Sequence, residues 1–193
     1  MIVPIVEGHG EVQAIRILIE RIALTLEPIT YPEVERPLRV GRDKLVRRAG
    51  EIERYVELAA NKSEPDGRIL ILLDADGDCP RDLAASLLDR ARAARSDRRI
   101  QVVVAKQEYE AWFLAAAESV ARSRGVAGPV SRPNDPEDVS GAKERLSSIL
   151  GGPGLYAPVR DQPGLTRAFD LKEARRYAPS FDKMCRAVEA LLA

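Results

Sequence analysis

Apolar and polar positions fall into two regimes along this chain. Met1–Val6, Arg68–Asp74 and Ile100–Ala105 are short, nearly continuous apolar runs, the pattern of strands buried on both faces. Between them the apolar residues recur every three or four positions. Val12, Ile15, Leu18, Ile19 and Ile22 predict an amphipathic helix over residues 10–25. Pro28 to Pro37 is punctuated by prolines and cannot be continuous helix. Leu38–Val40 reads as a second strand. Asp43 reads as the N-cap of a helix through Ala60, with Leu45, Ile52, Val56 and Ala59 on one face. Lys62–Gly67 is a turn, Pro80 suits the first turn of a helix to Ala94, and Glu108–Ser123 is a further helix.

Four strands alternating with helices imply right-handed crossovers, hence an α/β fold with a central four-stranded, mostly parallel sheet flanked by helices. Residues 1–124 form this core. Residues 125–193 change character: Gly125–Gly141 and Gly151–Gly164 read as Gly/Pro-rich loops, with helical segments near 140–150 and 180–192. This loop-rich helical extension is expected to pack on the core as an appendage or lid.

Composition narrows the classes. A chain of 193 residues with 45% hydrophobic and 31% charged residues can bury a sizeable core as a globular protein. Lys+Arg and Asp+Glu are both 30, so no overall basic field gathers nucleic acid, which leaves only a local patch. Basic residues are densest at Arg36, Arg39, Arg42, Lys44, Arg47, Arg48 and Arg54. They read as a solvated helix face or, through Arg42, Lys44, Arg47 and Arg48, as a phosphate-backbone patch. Cys79 and Cys185 match no metal or redox spacing and read as reduced thiols. No run reaches the roughly 18 apolar residues of a membrane span, and the N-terminus reads as a strand, not a signal peptide. A cytoplasmic location is expected.

In an open parallel sheet, ligands collect beyond the carboxyl ends of the strands. The first strand ends at Glu7; the third ends in Asp74, Asp76 and Asp78; the fourth ends near Lys106, Glu108 and Glu110. Each group has an ordinary reading: Glu7 complements a helix dipole, "DADGD" is a solvated turn, and Glu108 and Glu110 start a helix. Three separate strand ends carrying acids are a less ordinary coincidence. Carboxylates brought together repel and raise one another's pKa, and a hard divalent cation, Mg²⁺ or Mn²⁺, relieves that repulsion. "DADGD" does not fit a calcium loop, because Gly77 comes too early. Gly8-His9-Gly10 is neither a Walker loop nor a dinucleotide fingerprint, position 13 being Gln. His9 reads as a loop residue, and Trp112 and Phe113 read as helix core.

The segments "VEGHGE" (Val6–Glu11) and "LLDADGD" (Leu72–Asp78) resemble the Toprim signature: a glutamate ending the first strand, then Asp-x-Asp after a later buried strand. Toprim domains are shared by topoisomerases, DnaG-type primases, small RNA-maturation nucleases and OLD-family nucleases. "QEYEAWFLA" (Gln107–Ala115) resembles the E-x-E-A-W motif of the stand-alone Toprim-like family DUF4276, and "GAKERL" and the C-terminal helix resemble that family's tail. The resemblance implies a Toprim-like Rossmannoid fold. It gives Glu7 the place of the general acid/base and metal-site glutamate, and Asp74 and Asp76 the Mg²⁺-holding pair. Asp78 takes the place of an extra acid, and Glu108 and Glu110 those of a second metal position. Lys106 or Lys143 is a candidate to stabilise charge on the scissile phosphate; Glu11 receives no role.

The implied function is Mg²⁺-dependent nuclease or phosphoryl-transfer chemistry on nucleic acid, DNA before RNA. Metal-assisted phosphodiester hydrolysis of this kind uses one ion to acidify water and a second, where present, about 4 Å away at the leaving oxygen. The family's occurrence beside ATPases in bacterial genomic islands implies a defence role with a partner ATPase, and self-association as a homodimer is a further expectation. The alternatives are a non-catalytic Toprim-like module that binds metal or nucleotide and regulates an ATPase, and a haloacid-dehalogenase-like phosphatase. In the latter family the Asp-bearing strand usually comes first, whereas here it is third.

Overall fold

A computed structural model describes residues 1–193. The four expected strands form one all-parallel sheet in the order β2-β1-β3-β4, with β1 at Ile2–Val6, β2 at Leu38–Arg39, β3 at Arg68–Asp74 and β4 at Arg99–Ala105. Register is continuous across the centre: Val6 lies opposite Leu72, and Asp74 opposite Ala105. The strand ends that carry acids are therefore neighbours along one edge.

Because side chains alternate across a strand, each apolar run feeds two cores. Ile2, Val6, Leu70, Leu72 and Val103 face one helical layer; Val3, Ile5, Ile69, Ile71, Leu73 and Val102 face the other. The second layer contains α2 (Arg42–Arg47), α3 (Glu51–Asn61) and α4 (Pro80–Ala94). The first contains α1 (His9–Ala23), α5 (Glu110–Ala115) and α6 (Ala117–Ser123). It is completed by α7 (Ala142–Ile149), α8 (Pro158–Ala168), α9 (Leu171–Tyr177) and α10 (Pro179–Leu192). Residues beyond 124 thus supply Leu146, Leu165, Phe169, Phe181, Met184 and Val188 to the same apolar cluster as the sheet. Trp112 and Phe113 are core, as expected: Trp112 packs 4.6 Å from Tyr109 and 5.2 Å from Phe181, and its indole N–H donates to Ser180 Oγ at 2.8 Å.

Three expectations are corrected. The helix read from Asp43 to Ala60 is two helices; Gly50 at φ 78° turns the chain between them, and the first is capped by Gly41. The helix read from Glu108 to Ser123 is broken at Ala116. The stretch Gly151–Gly164, read as loop, contains the start of α8, with Pro158 in its first turn and Pro163 inside. Pro163 and Gly164 mask the helical pattern, but Leu165 and Thr166 are fully buried, and packing along α1 overrides the weak local propensity.

Candidate acidic active site

At the carboxyl edge of the sheet, β1 passes through Glu7 and Gly8 into α1. Gly10 has a steric reason to be glycine: a Cβ there would lie 2.0 Å from Gln162 Oε1 and 2.8 Å from the Pro158 carbonyl oxygen. The close approach lets α8 cover the start of α1, and this cover buries Glu11. The Glu11 carboxylate accepts the backbone N–H groups of Glu7 at 3.0 Å and Gly8 at 3.2 Å, so it braces the turn from within, as a capping residue three places into a helix does.

Glu7 points across to β3, where its Oε2 accepts the Asp74 N–H at 3.4 Å. Asp74 in turn accepts the Tyr109 N–H through Oδ1 at 2.9 Å, which ties the end of β3 to the segment following β4. Glu110, buried at the start of α5, accepts the Tyr156 hydroxyl proton at 2.8 Å. Lys143 of α7 reaches Glu108 Oε1 at 2.7 Å and Glu110 Oε2 at 3.8 Å. Glu7, Glu11, Asp74, Glu110 and Lys143 together line a cleft of about 290 Å³, with exposed His9 on its rim. Larger clefts of about 430 and 370 Å³ lie beside α6, and neither contains any of these acids.

Four carboxyl groups against one ammonium make this cleft unusual. Burial raises the Glu7 carboxyl above the usual range, partly opposed by the Asp74 N–H and reinforced by Asp76. Burial also lifts Glu11 to about 7 despite its two backbone hydrogen bonds, with the charges of Glu7 and Glu110 adding. Asp74 is raised well above the ordinary aspartate value by burial and then by Glu11, Glu110 and Glu7. Glu110 is raised by burial against the pull of Lys143 and Tyr156. Burial alone would lower the Lys143 ammonium, but Glu110, Glu108 and Asp74 hold it above the ordinary lysine value, so it stays charged.

The other sequence-derived candidates do not line this cleft, although Asp76 lies near enough to Glu7 for its charge to raise that carboxyl and Glu108 is tied to the cleft through Lys143. Asp76, at φ 46°, and Asp78 flank Gly77 and turn toward Arg42. The Arg42 guanidinium is only 6% exposed; it pairs with Asp78 and lies 3.7 Å from Asp76 Oδ2, and it donates to the carbonyls of Asp74 at 3.0 Å and Ala75 at 2.8 Å. Lys106 does not border the cleft: it pairs with Asp138 in a 3-10 turn at Pro136–Asp138. Lys143 takes the position beside the acids. The sequence reading passed over Glu11, Tyr156 and the latch role of Arg42. For Glu11 a signal existed, since it stands three residues after Gly8, the place from which a glutamate reaches back to the N–H groups that open a helix.

A divalent cation fits this donor set in kind. The oxygens are hard, the carboxylates outnumber the cations, and Glu108 Oε2 is buried without a hydrogen-bond partner. No three of the acids are drawn round a single point; they are held instead by backbone N–H groups, Tyr156, Lys143 and Arg42.

Comparison with known proteins bears on family alone. The model of DUF4276, a domain of unknown function, matches residues 6–189. No curated protein matches in sequence. Two solved structures align along nearly the whole chain. The C-terminal region of the Xanthomonas campestris pv. campestris OLD protein has a TM-score of 0.46 and 15% identity, with 97% of this chain and 95% of that chain covered. The C-terminal region of the Burkholderia pseudomallei OLD protein has a TM-score of 0.44 and 13% identity, with 98% and 96% covered. Likeness at this level assigns no residue a role.

Proposed function

The chain belongs to the DUF4276 family, a membership that leaves its activity open, and we propose that it is a Mg²⁺- or Mn²⁺-dependent, Toprim-type phosphodiester hydrolase acting on nucleic acid. One observation carries the reading: acids from three separate strand ends, Glu7, Asp74 and Glu110, line one cleft with pKa values raised by burial and, at Asp74, by one another. Their arrangement stores electrostatic repulsion that a divalent cation would relieve.

Glu7, Asp74 and Asp76 would hold the ion, with Glu108 and Glu110 at a second position. When bound, the ion supplies Lewis acidity toward water and phosphoryl oxygen. The chain's own residues do the remainder. Glu7, whose carboxyl is raised above the ordinary glutamate value by burial, gives or takes the proton. Lys143 places a fixed positive charge where a phosphodiester would meet the cleft. Tyr156 and Glu11 fix Glu110 and the Glu7 turn. Asp78, already paired with Arg42, anchors the loop and is given no metal-binding role here.

No helix of the structure is long and apolar enough to cross a membrane. A cytoplasmic location belongs to the proposal through the unpaired cysteines, and a partner ATPase and a part in phage defence through the sequence resemblance. The test is incubation of the protein, alone and with a partner ATPase, with plasmid DNA and structured RNA in Mg²⁺ or Mn²⁺. Cleavage by wild type that is lost in Glu7→Ala and Asp74→Ala is expected. No cleavage under any of these conditions overturns the reading, and cleavage undiminished in both variants moves the site elsewhere.

A second reading, a non-catalytic metal- or nucleotide-binding module that regulates an ATPase, is favoured by the engagement of Asp76 and Asp78 with Arg42. It predicts metal binding without cleavage, together with a change in the partner's ATPase rate that Asp76→Ala abolishes.

A further inference from the structure

Most ion pairs on this protein are closed, as in Arg90 with Glu53, Arg95 with Glu57 and Asp97, and Arg175 with Asp182 and Glu189. The β2–α2 junction departs from that habit. Arg39, Lys44 and Arg48 are exposed there, and the ion pairs of this stretch use Arg42 and Arg47 instead. The nearby acids are already engaged: Asp43 by Arg47 at 3.3 Å, and Glu51 by Arg54 at 2.7 Å. Lys44 and Arg48 are four residues apart, so they project from the same side of the α2 turn.

This cationic stretch adjoins the acidic cleft. Val6 and Arg39 are paired across β1 and β2, and the Arg39 guanidinium donates to the Glu7 carbonyl at 3.4 Å. The next turn, through Arg42, holds the end of β3 at Asp74. Arg39 and Arg42 therefore set this cationic stretch at the same carboxyl edge of the sheet as Glu7 and Asp74. The cleft itself repels phosphate, since Lys143 is its one cation. A chain with no net charge therefore needs a local patch beside its acids to retain such a substrate.

Resting on the phosphodiesterase reading, we propose that Arg39, Lys44 and Arg48 form a phosphate track that holds the sugar–phosphate backbone of a nucleic-acid strand against the β1/β3 edge, independent of base sequence. Cations in such a track act by releasing counterions, so their removal lowers both affinity and salt sensitivity.

The test is binding of fluorescein-labelled duplex DNA, single-stranded DNA and RNA of one sequence, in EDTA, across salt from about 50 to about 200 mM. The compared proteins are wild type, the Arg39→Ala/Lys44→Ala/Arg48→Ala variant, and a charge-matched Arg145→Ala/Lys172→Ala/Lys183→Ala control at exposed cations elsewhere. The track variant should lose on the order of tenfold in affinity or more, with a log–log salt slope shallower by about 2 to 3, while the control binds as wild type. The three ligands show which nucleic acid is held. Equal binding by the track variant and wild type, equal loss in the control, or no binding by wild type overturns the proposal. Hydrolysis of bis(p-nitrophenyl) phosphate in Mn²⁺ separates the two readings. The track variant should retain it, whereas Asp74→Ala should not. Loss of that small-substrate activity in the track variant would place these cations in the cleft and overturn the track. Absence of that activity in wild type, with the binding loss intact, would overturn the hydrolase and leave the track standing.

Discussion

The Nε of Arg42 lies 3.0 Å from the carbonyl oxygen of Asp74, 32 residues further along the chain. Through this contact, and those to Ala75 and Asp78, one buried guanidinium from the second helical layer fixes the loop that carries the Asp-x-Asp pair. Its planar fork satisfies two carbonyls and a carboxylate together, which a lysine cannot do.

Replacing it should show both roles. Arg42→Met strands the Asp74 and Ala75 carbonyls and the Asp78 carboxylate, and a stability loss of about 2–4 kcal/mol in urea denaturation is expected. Arg42→Lys should recover less than half of that. Mn²⁺ affinity, read by calorimetry on the folded variants, should fall by about 10- to 100-fold, because outer groups that orient ligands contribute on that scale. Wild-type affinity in Arg42→Lys would show that the latch is dispensable for the site.

The acidic cleft makes stability depend on pH with a definite sign. Glu11 has a folded pKa of about 7 against an ordinary value of 4.5, so the folded state binds its proton more tightly than the unfolded chain. Its contribution is complete below about 4.5 and is lost as pH rises through about 7. Glu7, Asp74 and Glu110 are raised and act in the same sense. In EDTA, Tm should fall from pH 5 to pH 8, Mg²⁺ should restore it at the upper end, and Glu11→Gln should flatten the profile. A Tm that rises over that interval would contradict the burial-driven shifts.

Lys143 and Lys106 make opposite predictions. Lys143 faces Glu108, Glu110 and the cleft, and Lys106 is engaged with Asp138 outside it. Lys143→Ala should lower phosphodiester hydrolysis by about 100-fold or more, the scale for removing a preorganised charge at a reacting group. Lys106→Ala should leave the rate within about twofold, consistent with a loosely held surface pair. Steady-state cleavage assays on variants shown folded by circular dichroism decide between them.

Gly10 offers a test of packing alone. Gly10→Ala would drive a Cβ into Gln162 and the Pro158 backbone, and separating α1 from α8 should lower stability by about 1–3 kcal/mol. The same shift opens the cover over Glu11. The stability-versus-pH profile of Gly10→Ala should therefore flatten alongside the loss of Tm.

Residues 2–6, 68–74 and 99–105 carried most of the sheet by themselves: apolar runs of 5 to 7 residues are too short for buried helices and suit strands covered on both faces, and the helices between such runs favour parallel pairing. With strand direction fixed, the sequence also settled that Glu7 and Asp74 would share one edge. It did not determine the breaks at Gly50 and Ala116 or the helical character of α8. Those follow from how segments dock, and in α8 packing along α1 outweighs the roughly 3 and 1 kcal/mol that an interior proline and glycine cost. The same limit hid half the site. Glu11 reads locally as an ordinary capping glutamate and becomes buried only because α8 closes over Gly10. Arg42 reads as one of several surface cations and becomes a latch only because α2 lies beside the end of β3. Lys143 displaces Lys106 because α7, distant in sequence, docks on α5. Local pattern specifies which elements form and which way they run; which charges share a desolvated space depends on contacts between residues 30 to 150 positions apart, and those exist only in the folded chain.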